Sequence, residues 1–148
     1  MRNLALIALA VSGVVLVSCG GGASENAQVE SIAHRYFTAL GSGNGSELCS
    51  LVTGETKREL VEDVEKIEAE HGRESGNLTC PAVVMALHAQ LGQDEIAGLK
   101  GAKVKVESLS ASSATVLVTG SNGRSTDVTL SKTDAGWLIS KVPASAST

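Results

Sequence analysis

The spacing of apolar residues changes period once along this chain, near Gly92, and that switch restricts the possible folds more than any other feature. Before it, Val29, Ile32, Ala33, Tyr36, Phe37 and Leu40 recur at i, i+3, i+4, i+7, i+8 and i+11, one face of a 3.6-residue helix. After it, apolar and polar residues alternate. Val104 and Val106 stand between Lys103, Lys105 and Glu107; Ala114, Val116 and Val118 alternate with Thr115, Leu117 and Thr119; Val128 and Leu130 alternate with Asp127, Thr129 and Ser131. A period of two means strands, because successive side chains of a strand point to opposite faces.

Local signals divide each half. Gly41 is a helix stop, and Asn44-Gly45-Ser46-Glu47 reads as a capping box opening a short helix with Leu48, Cys49, Leu51 and Val52. Thr56-Lys57-Arg58-Glu59 repeats the signal before Leu60, Val64 and Ile67, which share one face of a charged helix. Loop residues run from Gly72 to Asn77, and Pro81 suits the first turn of a further helix carrying Val83, Val84, Leu87 and Leu91. Asn122-Gly123 and Asp134-Ala135-Gly136 are hairpin turns, the latter leading into Trp137-Leu138-Ile139-Ser140. Short turns force neighbouring strands to run antiparallel. The expectation is an α+β domain, with N-terminal helices covering one face of a four-stranded meander.

The N-terminus reads differently. Arg2 precedes Leu4 to Val17, an uncharged stretch of 14 residues interrupted only by Ser12 and Gly13. A membrane span needs about 20 residues, so this length suits the core of a signal peptide. Leu16-Val17-Ser18-Cys19 follows, and it resembles the lipobox of bacterial lipoproteins: an aliphatic residue, a tolerated residue, a small residue and cysteine. The resemblance implies cleavage after residue 18, a diacylglyceryl group on the Cys19 thiol, and attachment to the cell membrane or outer envelope on the exported side. Gly20-Gly21-Gly22-Ala23-Ser24-Glu25 reads as a flexible tether spanning on the order of 14 Å. The expected organisation is a signal peptide at 1–18, lipidated cysteine and tether at 19–25, a folded domain at 26–142 and a tail at 143–148.

Without the signal the chain keeps 11 basic residues against 16 acidic ones, a balance of −5. Nucleic-acid affinity rests on basic groups neutralising phosphates, so this acidity argues against such a partner. Tyr36, Phe37 and Trp137 are the chain's only aromatic residues, too few for a base-stacking platform. With Cys19 taken by lipid, Cys49 and Cys80 are the pair left for an exported, oxidising compartment. A disulfide between them would stabilise the domain by about 3–4 kcal/mol in the chain-entropy model. Two free buried thiols or a redox-active pair are the competing readings; the Cys-x-x-Cys spacing of a redox pair is absent.

Ala33-His34-Arg35-Tyr36-Phe37-Thr38-Ala39-Leu40, Leu48-Cys49-Ser50-Leu51-Val52, Cys80 and hairpins ending in Gly136-Trp137-Leu138-Ile139 together resemble the nuclear-transport-factor-2-like superfamily, particularly its small exported lipoproteins. The resemblance covers about residues 26 to 142. It implies a cone, with a curved antiparallel sheet wrapped against helices and an apolar pocket at the open end, where Tyr36, Phe37 and Trp137 are candidate pocket or core residues. Relatives include ketosteroid isomerases, polyketide cyclases and proteins without catalysis, and many are homodimers, here implying the exposed sheet face as interface.

Proton abstraction beside a carbonyl needs a base in a dry pocket with an opposing donor. In enzymatic relatives the base projects from the segment between helices that here runs from Gly72 to Cys80 and offers only Glu74, in loop surroundings. Asp127 is a second candidate, which strand alternation turns towards water, and Tyr36 is a candidate oxyanion donor. His34, His71 and His88 are dispersed, no cluster has metal-ligand spacing, and no phosphate-binding loop or dinucleotide fingerprint occurs. No catalytic set, metal or cofactor is therefore named. The expected function is a lipid-anchored, non-enzymatic domain for a small apolar ligand or a cell-envelope protein; the rival is an isomerase- or cyclase-like enzyme.

Overall fold

The computed structural model describes residues 21–73 and 76–143. The lipobox, Cys19 and Glu74 lie outside the described residues. Five helices, α1 (Gly21–Gly41), α2 (Gly45–Ser50), α3 (Gly54–Glu70), α4 (Cys80–Gln90) and α5 (Gln93–Lys100), precede four strands, β1 (Lys103–Leu109), β2 (Ser113–Thr119), β3 (Ser125–Thr133) and β4 (Gly136–Lys141). The strands form one antiparallel sheet in sequential order, so the fold is α+β as the period switch predicts.

α1 buries Val29, Ala33, Tyr36 and Phe37 against the sheet, with Ile32 and Leu40 half-buried beside them. This is the face its spacing specifies. The inner face of the sheet supplies Ala114, Val116, Val118, Val128, Leu130, Trp137 and Ile139, all buried, and α2 adds Leu48 and Cys49. β1 is less well covered: Val104, Val106 and Leu109 remain partly exposed. A bulge between Val106 and Ser108 leaves Glu107 without a register partner on β2.

Several boundaries differ from expectation, each for a tertiary reason. α1 begins at Gly21, so the segment read as a flexible tether is helical from that residue. Glycine opposes this by about 1 kcal/mol per residue; an ion pair from Glu25 to Lys132 on β3 holds the early helix against the sheet. Gly41 stays helical, and the stop comes at Gly43, whose φ of 65° is the left-handed conformation glycine adopts without a steric penalty. Asn44 caps α2 by accepting from the Glu47 amide at 3.2 Å. The box stays half-formed, because the Glu47 carboxylate accepts from Arg35 at 2.5 and 2.8 Å instead.

α3 starts three residues earlier than its Thr56-x-x-Glu59 signal suggests. Thr53 is the cap, accepting from the Thr56 amide at 3.2 Å, while Thr56 is buried and donates its hydroxyl to the Ser140 carbonyl at 3.0 Å. Both registers satisfy local capping; only the earlier one provides the bond to β4. Pro81 lies in the first turn of α4 as expected. Gly45 meets it so closely that a Cβ there would stand 2.5 Å from the Pro81 carbonyl oxygen. Periodicity does not announce α5, since eight residues with only Ile96, Ala97 and Leu99 as apolar members give too short a pattern. Its opening is fixed by the Gly92 amide donating to the Glu95 carboxylate at 2.8 Å, with Asp94 and Glu95 near its N-terminus and Lys100 at its end.

Candidate functional site

The sequence-named aromatics do not form an open pocket. Tyr36 and Phe37 pack edge to face with centroids 5.1 Å apart and an interplanar angle of 78°. Tyr36, Phe37 and Trp137 are 5%, 6% and 4% exposed, which makes them members of the filled core. Removal from water pushes the Tyr36 hydroxyl up to about 12. The Trp137 indole nitrogen and the Thr38 hydroxyl are buried with no hydrogen-bond partner among the described residues. Lys132 places its ammonium 5.6 Å from the Trp137 ring centroid.

Two depressions flank α1, both broadly open to solvent. One, of about 660 Å³, lies between α1 and the start of β1, lined by Glu30, His34, Arg35, Ala102, Lys103 and Val104. The other, of about 530 Å³, lies towards the β3–β4 turn, lined by Gln28, Ile32, Arg35, Gly136 and Trp137. Ala27, Ser31 and Arg35 line both. Neither is lined by Tyr36 or Phe37, and only Trp137 of the three reaches a depression. The first joins a carboxylate to three groups that can carry positive charge, but Arg35 is already engaged by Glu47.

The titratable candidates remain apart. Asp127 is exposed and pairs in register with Leu117 on the sheet. His71 is exposed and its Nδ1 lies 2.7 Å from the Ile67 carbonyl, while the half-buried His88 places its Nδ1 3.1 Å from that of Leu40. His34 is exposed and lines the first depression with Glu30, Arg35 and Lys103. Among the described residues Thr56 and the Thr38 hydroxyl are the buried polar side-chain features outside the aromatics, and no group of three His, Cys, Asp or Glu is placed to hold a metal ion. Among the described residues no desolvated carboxylate or histidine faces either depression.

Cys49 and Cys80 are joined as a disulfide with Cα atoms 6.2 Å apart, tying α2 to the mouth of α4. Sequence reasoning missed the outer side of α4. Val83 and Val84 are buried and Leu87 half-buried, yet Ala82, Met85, Ala86 and Ala89 form a second apolar set at i, i+3, i+4 and i+7 and are exposed. Met85 is 61% exposed, and Ile67, which shares one face of α3 with Leu60 and Val64 by spacing, is 50% exposed. The signal was present: no Asp, Glu, Lys or Arg occurs between Cys80 and Gln90. No helix of the described residues is long and apolar enough to cross a membrane. No protein-family model, curated protein or solved structure matches the chain.

Proposed function

We propose that this chain is a lipoprotein, held on the exported side of the cell membrane or outer envelope through Cys19, whose nuclear-transport-factor-2-like domain binds a cell-envelope protein without catalysing a reaction. The observation that carries the anchor is Leu16-Val17-Ser18-Cys19 directly after an uncharged stretch of 14 residues. The cone-like reading is supported by the order of elements, helices first and a sequential antiparallel meander after. The choice of a protein over a small apolar ligand is supported by the three aromatics, which are spent on core packing. The choice of binding over catalysis is supported by the dispersal of Asp127 and the histidines.

The geometry of α1 sharpens the attachment. Only Gly20 lies between Cys19 and Gly21, so the reach from one to the other is at most about 7 Å when extended. On this reading the N-terminal end of α1 stands close to the membrane surface. Cys19→Ala is expected to release the protein from membranes or block its processing, read by fractionation and by the mass of the mature chain. Unchanged membrane retention with an unmodified residue 19 would overturn the anchor.

A further inference from the structure

The first two turns of α1 are fastened to the domain by much less than the rest of the helix. Val29 is the first buried residue of α1; before it Glu25 is half-buried, and Ser24, Asn26, Ala27 and Gln28 are exposed. Beyond it Ala33, Tyr36 and Phe37 are buried in the core. Ala27 borders both open depressions, and Ser24 and Gln28 border the second, so these turns meet solvent where later turns meet the sheet.

Local propensity does not make up the difference. Gly21 and Gly22 open the helix, each disfavouring it roughly fivefold against alanine, and no acidic residue stands in the first turn to complement the helix dipole. One side-chain tie opposes them. Glu25 pairs with Lys132 on β3, and among the described residues no other side-chain hydrogen bond or ion pair joins residues 24–28 to the rest of the chain. The partners are 29% and 41% exposed, and a pair of that kind favours the docked form by a factor of about five or less. The opposing effects are of the same order, so a single ion pair decides between them. Unwinding from a helix end also leaves the remaining turns as a template, so rewinding needs no new nucleus.

We infer that residues 21–28 are a releasable strap between the lipid anchor and the domain, latched by Glu25 on Lys132. The inference rests on the Cys19 anchor proposed above and adds a movement to it. Latched, these residues rise about 12 Å as helix; released, they reach up to about 28 Å, and Val29 becomes the first fixed point of the fold. The latched form keeps the domain at the bilayer, and the released form lets it meet a partner farther out. An anion that takes the Lys132 ammonium from Glu25 shifts the balance toward release, salt being the simplest.

Two readouts test the strap on the full chain. Hydrogen exchange is followed at the amides of residues 25–28, which intrahelical bonds protect only while the strap is wound. Trp137 is the chain's only tryptophan, so its energy transfer to dansyl-labelled lipid in phosphatidylcholine vesicles reads the distance of the domain from the bilayer. Glu25→Gln is expected to speed the exchange about fivefold and to lower the transfer, as raised salt does on the unaltered chain. Lys132→Gln should match it in exchange, and the double variant should add little to either. Gly21→Ala with Gly22→Ala should slow the exchange about tenfold and raise the transfer. Exchange at residues 33–37 and the thermal transition should stay unchanged throughout, which shows that the variants fold. Exchange at residues 25–28 as slow as at 33–37 in the unaltered chain, or insensitive to Glu25→Gln and Lys132→Gln, would overturn the inference. The exchange arm is read on Cys19→Ala as well and needs no membrane. A failed anchor, seen as chain that does not sediment with vesicles, therefore leaves the latch tested and the two failures distinguishable.

Discussion

At the β4 edge of the sheet the chain closes the open ladder with its own backbone, whereas at the β1 edge it leaves the ladder open and relies on side-chain charge. Residues 51–53 run beside β4 as a parallel bridge: the Ile139 amide donates to the Leu51 carbonyl at 2.8 Å and the Thr53 amide donates to the Ile139 carbonyl at 2.9 Å. The Thr56 hydroxyl adds a bond to Ser140. β1 has no such cover among the described residues, but it carries Lys103 and Lys105, and its register breaks at Glu107. Both solutions protect an edge from pairing with another chain. One needs the helical half in place; the other is written into seven residues.

The comparison makes the covered edge the more vulnerable to distant changes. Replacing Cys49 and Cys80 with serine should give the largest effect, a loss of about 3–4 kcal/mol in urea unfolding, because the loop they close contains the bridging residues. Amide exchange should then rise at Ile139 before it rises at Val116. An unchanged unfolding midpoint would show that the bridge does not depend on the disulfide.

Alkaline pH should affect both edges together, since α1 contacts β1 and β4 from the shared core. Burial raises the Tyr36 hydroxyl from 10.0 to about 12 in the folded chain, so folding favours the neutral form. The associated stability is fully present below pH 10 and is lost as pH rises through 12, by on the order of 2–3 kcal/mol. Tyr36 is the chain's only tyrosine, so phenolate absorbance reports it directly. A titration midpoint near 10.0 would mean that the ring is not held in the core.

Smaller effects separate the two edges. Thr56→Val removes the hydroxyl bonded to Ser140 and leaves that carbonyl without this partner, which should cost about 1 kcal/mol and raise exchange along β4 but not β1. Lys103→Val with Lys105→Val should change unfolding by less than about 0.5 kcal/mol, since both side chains are exposed. Its consequence is association: sedimentation should reveal oligomers that the wild-type chain does not form under the same conditions. Monomeric behaviour would show that the bulge alone blunts the edge.

Legibility followed the range of the interactions. The buried face of α1 and the inner residues of β2 to β4 were readable because periodicity is a property of neighbours along the chain. The start of α3 was not, because two threonines offer equally good caps and only a carbonyl on β4, 84 residues away, selects between them. The start of α1 was misread for the same reason, its early turns being held by Lys132 on β3. On α3 and α4, Val83 and Val84 were placed correctly, while Ile67 and the second side of α4 were missed. Spacing says which residues share a face, but not whether anything packs on it.

The sequence by itself determined the α+β order, the antiparallel meander, the cysteine pair available to be joined and the apolar faces of the longer helices, all consequences of local period and turn chemistry. Tertiary structure decided that Tyr36 and Phe37 fill a core while Trp137, also buried, borders an open depression, that residues 51–53 close one edge, and that α4 keeps an apolar side uncovered. Those outcomes depend on which surfaces meet, and burial is a relation between segments distant in the chain that no single segment encodes.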